Sequence, residues 1–360
     1  MNHPTPVNDI QNAGKATRAS RFVLVCAVLA VLLVALALGC LLFGSVHIPV
    51  REVLGIVTGH DSGNVAWDII VRQSRLPMIV TAALAGAALS VSGLLLQTTF
   101  NNPLAGPSIL GVSAGAGLGV AIVMLALGGS IGTLLGGTAG SYVATLLGAL
   151  LGAGAVLAVL IAFAAIVRSS TMLLIIGILV SYLASSVISL LNSLANEEGV
   201  HSYVTWGFGN FQGVGADQLP LYSGLIVLAL CASLLMVKPL NALLLGTRYA
   251  ENLGVNTHRA RNSLLVITGV LTAVVTAWCG PIGFVGLVVP HVARFMTGTS
   301  DHRRLIPATL LAGADVVLLC TLISVNGSQG IIPINAITPI IGVPIIIYII
   351  LNRRRINYFN

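Results

Sequence analysis

The sequence is poor in charged and aromatic residues, and both shortages restrict what kind of protein it can be. Only 8% of its 360 residues are charged and 5% are aromatic, whereas 56% are hydrophobic. A soluble domain carries roughly 25% charged residues, so this chain cannot cover a water-facing surface. Because each transmembrane helix needs about 20 apolar residues, the composition predicts a single all-α membrane domain with many spans.

Motifs for nucleotide and metal chemistry are also lacking. The sequence contains neither HExxH nor G-x-x-x-x-G-K-[ST], the patterns of a zinc enzyme and of a P-loop. Its five cysteines lie inside apolar runs without zinc-type or CxxC spacing, and we expect them to be small buried apolar residues. They are Cys26, Cys40, Cys231, Cys279 and Cys320. We therefore expect this chain to bind no metal and no cofactor.

Uncharged apolar runs predict about ten transmembrane helices. They lie near 22–44, 76–99, 108–127, 138–166, 171–194, 220–237, 263–281, 283–297, 305–325 and 336–351. With the N-terminus inside the cell, only Arg51, Arg72 and Arg75 among the 17 basic residues fall outside, as the positive-inside rule requires. The prediction is a cytoplasmic tail over 1–21, a ten-helix transmembrane domain over 22–351 and a cytoplasmic tail over 352–360.

Glycine is abundant, with 40 residues, and much of it recurs at every fourth position. Gly111, Gly115 and Gly119 form one such series, and Gly148 and Gly152 form another. Small residues at this spacing let helix backbones approach closely in lipid. The pattern therefore predicts tightly packed helices.

The stretch over 97–111, QTTFNNPLAGPSILG, interrupts the apolar pattern. Pro103 and Pro107 cannot continue a helix, and Asn101 and Asn102 add polar side chains beside them. Irregular polar backbone at membrane depth is tolerated only where it is buried in protein or lines a water-filled path. The pattern alone leaves two interpretations open: the inner gate of a transport pathway, or an ordinary turn between spans two and three.

The longest predicted inner loop, over 238–262, has its own pattern. It predicts two short helices, separated by a turn at Gly246 and followed by a turn at Gly254. Leu243, Leu244 and Leu245 stand beside polar residues. A half-buried surface for a protein partner and a loop lying on the membrane both fit this pattern.

Three isolated features raise other functions. Residues 111–115 match G-x-S-x-G, whose serine needs a strand-to-helix elbow with histidine and acid partners; here Ser113 begins a membrane helix, and packing glycines explain the match better. Asp315, the only acid deep in a span, hints at an ion-coupled secondary transporter, but no second acid lies at membrane depth. We interpret Asp315 as neutral or locally hydrogen-bonded, and His291 as a structural histidine.

Long motifs in this sequence resemble the FecCD/BtuC-type permeases, which import ferric siderophores, heme and cobalamin. These motifs occupy 75–119, 243–256, 279–314 and 337–351. The resemblance runs from about residue 75 to the C-terminus. It implies the fold of a type II ABC importer permease, with both termini cytoplasmic, in the cytoplasmic (inner) membrane of a bacterium.

The resemblance also implies partners. Two permease subunits, identical or paralogous, would enclose one pathway and sit on two cytoplasmic ATPase subunits that hold ATP and Mg. A periplasmic or lipid-anchored binding protein would deliver the cargo. This chain would then be no enzyme, and a ferric siderophore is the expected cargo, ahead of heme and cobalamin.

Several residues receive expected roles from the resemblance. The family's inner gate corresponds to Asn102 and Leu104, in the turn that also contains Gln97 and Pro103, and to Ser169 and Ser170 before span five. The coupling helices that contact the ATPase correspond to 240–256, including Leu244, Gly246, Leu253 and Gly254.

The docking charges on the outer side depart from the family pattern. Arg75 matches a family arginine that pairs with the binding protein, but Met78, Val325 and Thr321 replace other charged residues of that surface. Arg72 lies three residues before Arg75, which puts both on one face of an α-helix. We therefore expect Arg72 to substitute for the missing charges.

Overall fold

The computed structural model of the protein describes residues 7–126, 138–167, 169–325 and 332–351. Helices account for most of these residues. They are α1 (Val7–Leu42), α2 (Val50–Val57), α3 (Val65–Ile69), α4 (Leu76–Thr99), α5 (Val112–Ala121), α6 (Thr138–Ile166), α7 (Ser170–Leu194), α8 (Glu197–Gly207), α9 (Leu219–Leu235), α10 (Val237–Leu243), α11 (Thr247–Asn252), α12 (Thr257–Cys279), α13 (Val285–Thr297), α14 (His302–Val325) and α15 (Ile334–Leu351). The predicted tail over 352–360 lies outside the described residues.

The helices match the apolar runs of the sequence. Within the described residues, six helices are long and apolar enough to cross a membrane, and a seventh span forms if α9 and α10, bent by 53°, count as one. The remaining predicted runs correspond to three shorter apolar helices: α5 with the π-helix Ile122–Ala126 that continues it, α13, and α15. The prediction of an all-helical, polytopic membrane protein is confirmed.

Helix α4 is the centre of the bundle. It packs against α12, α13 and α14, and its side chains from Ala85 onward are buried. An α-helix that is apolar around its whole circumference is expected in such a position. Two glycines permit the close approach: Gly93 lies against the backbone of Gly286 in α13, and Gly86 lies against that of Gly313 in α14.

The four-residue glycine series brings α5 and α6 together. Gly115 faces Gly152, and Gly119 faces Gly148, so closely that a Cβ atom at any of these positions would overlap the opposing backbone. Gly111 differs from the other two members of its series. It precedes α5 with a φ of 81°, and it faces the carbonyl of Gly177 in α7.

Polar contacts assign the helix ends to two sides of the bundle. At one end, Arg21 of α1 donates from Nε to the carbonyl of Met296, in the last turn of α13, over 2.9 Å. Basic groups at a helix C-terminus satisfy carbonyls that lack partners within the helix. At the opposite end, Asn335 donates from Nδ2 to the carbonyl of Gly207 over 2.7 Å. The first contact joins α1 to the end of α13, and the second joins the start of α15 to the end of α8.

Candidate gate and coupling surface

The turn that follows α4, residues 101–105, is called here the gate turn. Asn101 adopts a φ of 46°, in the left-handed region that Asn tolerates better than most residues. The amide of Asn102 donates to the carbonyl of Gln97 over 3.0 Å, and its side-chain oxygen accepts from the amide of Leu104 over 2.9 Å. Local hydrogen bonds therefore close the turn, and Leu104 is left 47% exposed at its tip.

Three buried polar residues support the gate turn: Gln97, His291 and Arg294, the support cluster. His291 Nε2 lies 2.8 Å from the carbonyl oxygen of Pro103. Arg294 donates from Nη1 to Gln97 Oε1 over 2.7 Å, and Gln97 donates from Nε2 to the carbonyl of Leu287 over 3.2 Å. The cluster ties the gate turn and α4 to the helix α13.

The hydrogen bonds of the support cluster give Gln97 a different role from the one expected. The sequence grouped it with the pathway residues, but its side chain is fully buried and is bonded to α13. It therefore supports the gate turn indirectly, through its hydrogen bonds to α13. Arg294 was not singled out in the sequence, because a lone arginine near the end of a short apolar run resembles a topology signal. Its spacing of three residues after His291 was the available clue.

The second predicted gate element lies at the start of α7. Ser169 caps this helix, since its hydroxyl accepts from the amide of Met172 over 3.4 Å, and α7 begins at Ser170. Two turns further on, Gly177 lies against the backbone of Leu110. The helix that begins at the second gate element therefore contacts the segment that follows the gate turn.

The predicted coupling loop contains two helices, α10 and α11, with Gly246 between them at a φ of 95° and Gly254 after them at 82°. Leu245, Tyr249 and Leu253 are 60%, 58% and 60% exposed, and we call these three residues the coupling face. Leu244 is half-buried, and Gly254 is exposed. Sequence reasoning had singled out Leu245 but missed Tyr249 as a member of this surface, although Leu245, Tyr249 and Leu253 follow one another at intervals of four residues.

The coupling face and the gate turn lie at the same end of the bundle. Helix α10 packs against α4, which leads into the gate turn, and against α14. A cleft of about 410 Å³ lies between the end of α4 and residues 240–256, which we call the coupling segment. Thr247, Glu251, His258 and Arg261 contribute to its lining.

At the opposite end, the two arginines expected to dock a binding protein occupy different environments. Arg72 is 42% exposed and pairs with Asp61 over 3.2 Å. Arg75 is only 5% exposed and donates from Nη1 to the carbonyl of Leu41 over 2.6 Å and from Nη2 to that of Val46 over 2.5 Å.

The expectation of one shared arginine face therefore differs from the structure. Residues 70–75 form a π-helix, whose hydrogen bonds join residues five apart. This wider turn separates side chains three residues apart, which would be neighbours on an α-helix. Arg75 ties the end of α1 to the start of α4, and Arg72 is the arginine of the pair that a partner protein can reach.

The structure also shows what surrounds Ser113 and Asp315, the two residues that suggested an enzyme or an ion-coupled transporter. The hydroxyl of Ser113 lies 3.3 Å from that of Thr276 in α12, so this serine belongs to a helix contact. Asp315 is 3% exposed in α14, and neither of its carboxyl oxygens has a hydrogen-bond partner among the described residues.

Comparisons with known proteins agree on one family. The model of the FecCD transport family matches residues 29–352. The vitamin B12 import system permease proteins BtuC of Citrobacter koseri and Klebsiella pneumoniae are each 36% identical to this chain. The first alignment covers 80% of this chain and 84% of the relative, and the second covers 79% and 83%.

A solved structure agrees with this assignment at the level of the fold. It is an inward-facing conformation of a candidate metal-chelate type ABC transporter, with a TM-score of 0.77 and 30% sequence identity. The match covers 91% of this chain and 98% of that one. The chain therefore belongs to the FecCD transport family and is the permease subunit of an ATP-binding-cassette importer, a class that works with a separate ATPase and a substrate-binding protein.

Proposed function

We propose that this permease moves a metal chelate inward by alternating access, with the gate turn as the closure at the ATPase side. The observation that carries the proposal is the position of the gate turn and the coupling face at one end of the bundle. Movement of an ATPase bound at the coupling face would act on helices that pack directly against α4. Rigid displacement of packed helices is a common way to exchange two states.

In this proposal the gate consists of Asn102, Pro103 and Leu104 together with the turn at Ser169 and Ser170. Leu104 offers an exposed apolar tip, and a second subunit would bring the matching tip across the pathway. Gln97 acts indirectly, through the support cluster. The coupling segment, with Leu244, Gly246, Leu253 and Gly254, receives the ATPase, which holds ATP and Mg, while this chain holds no cofactor.

The cargo we propose is a metal chelate as a class. The named relatives import vitamin B12, and the structural relative is of the metal-chelate type; the ferric siderophore expected from the sequence belongs to the same class. Proteins 36% identical can differ in the side chains that select a cargo, so cobalamin and a ferric siderophore are the two probes that the experiment compares.

The proposal also includes the proteins with which this permease would assemble. Two permease subunits, identical or paralogous, two ATPase subunits and a periplasmic or lipid-anchored binding protein would form the complex in the bacterial inner membrane. Arg72, exposed at the end opposite the coupling face, would contribute to the docking surface for the binding protein. Asp315 does not supply a proton pathway in this mechanism, because ATP hydrolysis provides the driving force.

The test is uptake by proteoliposomes that contain the whole complex. Cyanocobalamin and a ferric hydroxamate siderophore are supplied in the presence and absence of ATP and of loaded binding protein. We expect uptake of one chelate that requires both. Uptake at full rate without the ATPase, or uptake that follows a proton gradient and ignores ATP, would overturn the importer mechanism. ATP-driven gate movement without transport of either chelate would rule out both of these cargoes.

A further inference from the structure

Three polar side chains connect the coupling segment to the last turn of α4. Asn241 belongs to α10, His302 begins α14 and Thr98 lies next to the end of α4. The side-chain oxygen of Asn241 lies 2.8 Å from His302 Nδ1, and His302 Nε2 lies 2.9 Å from the hydroxyl of Thr98. His302 is fully buried and Thr98 is 3% exposed, so water does not compete for the bond between them, while Asn241 is half-buried.

The neighbouring groups fix the direction of each hydrogen bond. Asn241 donates from Nδ2 to the carboxylate of Asp301 over 2.7 Å, and its Oδ1 accepts from the main-chain amide of His302 over 2.9 Å. Because Oδ1 can only accept, His302 Nδ1 must carry the imidazole hydrogen. His302 Nε2 then presents a lone pair, and the hydroxyl of Thr98 donates to it.

Thr98 is also part of the base of the gate turn. Its main-chain carbonyl accepts from the amide of Asn101 over 3.2 Å, and Asn101 is the residue with a φ of 46°. The preceding carbonyl, of Gln97, accepts from Asn102. A displacement of Thr98 therefore moves the carbonyl groups that accept hydrogen bonds from Asn101 and Asn102, the first two residues of the gate turn. No other side chain takes part in this connection.

We propose that Asn241, His302 and Thr98 are positioning residues that transmit movement of the coupling segment to the gate turn. The proposal rests on the proposed function, because it assumes that the ATPase binds the coupling face and that residues 101–105 form a gate. Apolar packing alone, such as that of the fully buried Leu240, resists separation of helices but leaves them able to slide. Directed hydrogen bonds between buried groups fix their register, because each broken bond leaves an unsatisfied polar atom.

Two adjacent threonines provide a matched test. Thr98→Val keeps the side-chain volume and removes the hydroxyl that reaches His302, whereas Thr98→Ser keeps that hydroxyl. Thr99→Val is the control, because in the described residues the hydroxyl of Thr99 donates to the carbonyl of Leu95 in its own helix, over 2.7 Å. Each valine variant therefore loses one donated hydrogen bond, because the single hydroxyl hydrogen of Thr98 is used on His302, although that hydroxyl also lies 3.1 Å from the carbonyl of Leu94.

The readout is the response of the gate to nucleotide, which does not require a known cargo. Leu104→Cys is introduced into the complete complex in proteoliposomes, and its labelling by a membrane-impermeant maleimide is followed with and without ATP and vanadate. The parent protein, whose cysteines are retained, serves as the blank. ATP hydrolysis and the thermal midpoint of the complex are measured on the same samples.

We expect Thr98→Val to reduce the nucleotide-dependent change in labelling about fivefold or more, the lower range of ordinary coupling effects, while ATP hydrolysis continues. Thr98→Ser and Thr99→Val should respond as the parent does. Asn241→Ala should cause the same loss as Thr98→Val, and combining the two should add little, because both interrupt one linkage.

Two results would overturn this inference. One is a normal gate response in Thr98→Val; the other is a loss of response, hydrolysis and thermal midpoint in proportion, which would indicate a purely structural role. Failure of the proposed function has a different signature: the gate of the Leu104→Cys complex without further substitutions would then show no response to nucleotide at all.

Discussion

His291 in α13 donates a hydrogen bond from Nε2 to the main-chain carbonyl of Pro103, over 2.8 Å. A carbonyl can only accept, so the hydrogen of this contact belongs to the imidazole. The two residues are 188 positions apart in the sequence, and His291 is 2% exposed. A helix that does not adjoin the gate turn in sequence therefore holds it at its central proline.

Removal of this bond should loosen the gate turn. His291→Leu deletes the donor and leaves the carbonyl of the half-buried Pro103 without it, at a cost of about 0.5–1.5 kcal/mol. We expect Leu104→Cys in the resting complex to react several-fold faster with a polar maleimide. His291→Gln, which retains an N–H donor of similar reach, should recover the slower rate. Equal labelling rates in all three proteins would show that the bond does not hold the turn.

The two arginines at the opposite end should respond in opposite ways to substitution. Arg72→Glu reverses an exposed charge, and we expect weaker binding of the binding protein with little change in thermal stability. Arg75→Met removes the buried hydrogen bonds to Leu41 and Val46, and we expect the thermal midpoint to fall. Titration of the complex with binding protein, together with thermal unfolding of the same samples, separates the two effects.

The salt dependence provides a further check on Arg72. An exposed docking charge is screened by salt, so the difference between Arg72→Glu and the parent should shrink as ionic strength rises. A normal affinity for the binding protein in Arg72→Glu would exclude this residue from the docking surface. The result for Arg75→Met does not depend on docking, since its expected effect is on folding.

The sequence predicted the helices well because hydropathy over about 20 residues is a local property. The turn at Pro103 and the two glycine turns of the coupling segment were also local, since proline and glycine act on the backbone beside them. The surroundings of Arg75 were not predictable in this way. A π-helix over residues 70–75 depends on how the end of α1 meets α4, and nothing in the spacing of Arg72 and Arg75 distinguishes it from an α-helix.

Contacts between distant segments were likewise beyond sequence reasoning. Gln97 and Arg294 approach to 2.7 Å across 197 positions, and Thr98 and His302 approach to 2.9 Å across 204. Each of these side chains, taken alone, reads as an ordinary polar residue near the end of a span. Their pairing follows from the packing of α13 and α14 on α4, which a single sequence does not specify.

The coupling face should be required for assembly with the ATPase. Tyr249→Glu and Leu253→Glu place a carboxylate in an exposed apolar surface that a partner would have to cover, and burial of an unpaired charge is costly. We expect either variant to lose most of the ATPase that co-purifies with the permease. Leu253→Met, which keeps the apolar character, should retain it. Full co-purification with both glutamates would place the ATPase contact elsewhere.

The contact between α5 and α6 allows a strict comparison of two glycines in one helix. A Cβ atom at Gly152 would overlap the carbonyl of Gly115, whereas a Cβ atom at Gly154 would have no heavy atom within 4 Å among the described residues. Gly152→Ala should therefore cost about 1–3 kcal/mol through overpacking, while Gly154→Ala should be neutral or gain about 0.5–1 kcal/mol from the stiffer helix backbone.

Thermal unfolding of the purified permease in one detergent measures both glycine variants under the same conditions. The overlap at Gly152 is between the added Cβ atom and the backbone of Gly115, so no rotamer change can relieve it, and only a separation of the two helices can. Gly115→Ala approaches the same contact from α5, where a Cβ atom would lie 2.5 Å from the carbonyl of Gly152, and it should lower the midpoint as well. Equal midpoints for Gly152→Ala and Gly154→Ala would show that α5 and α6 are farther apart than this packing requires.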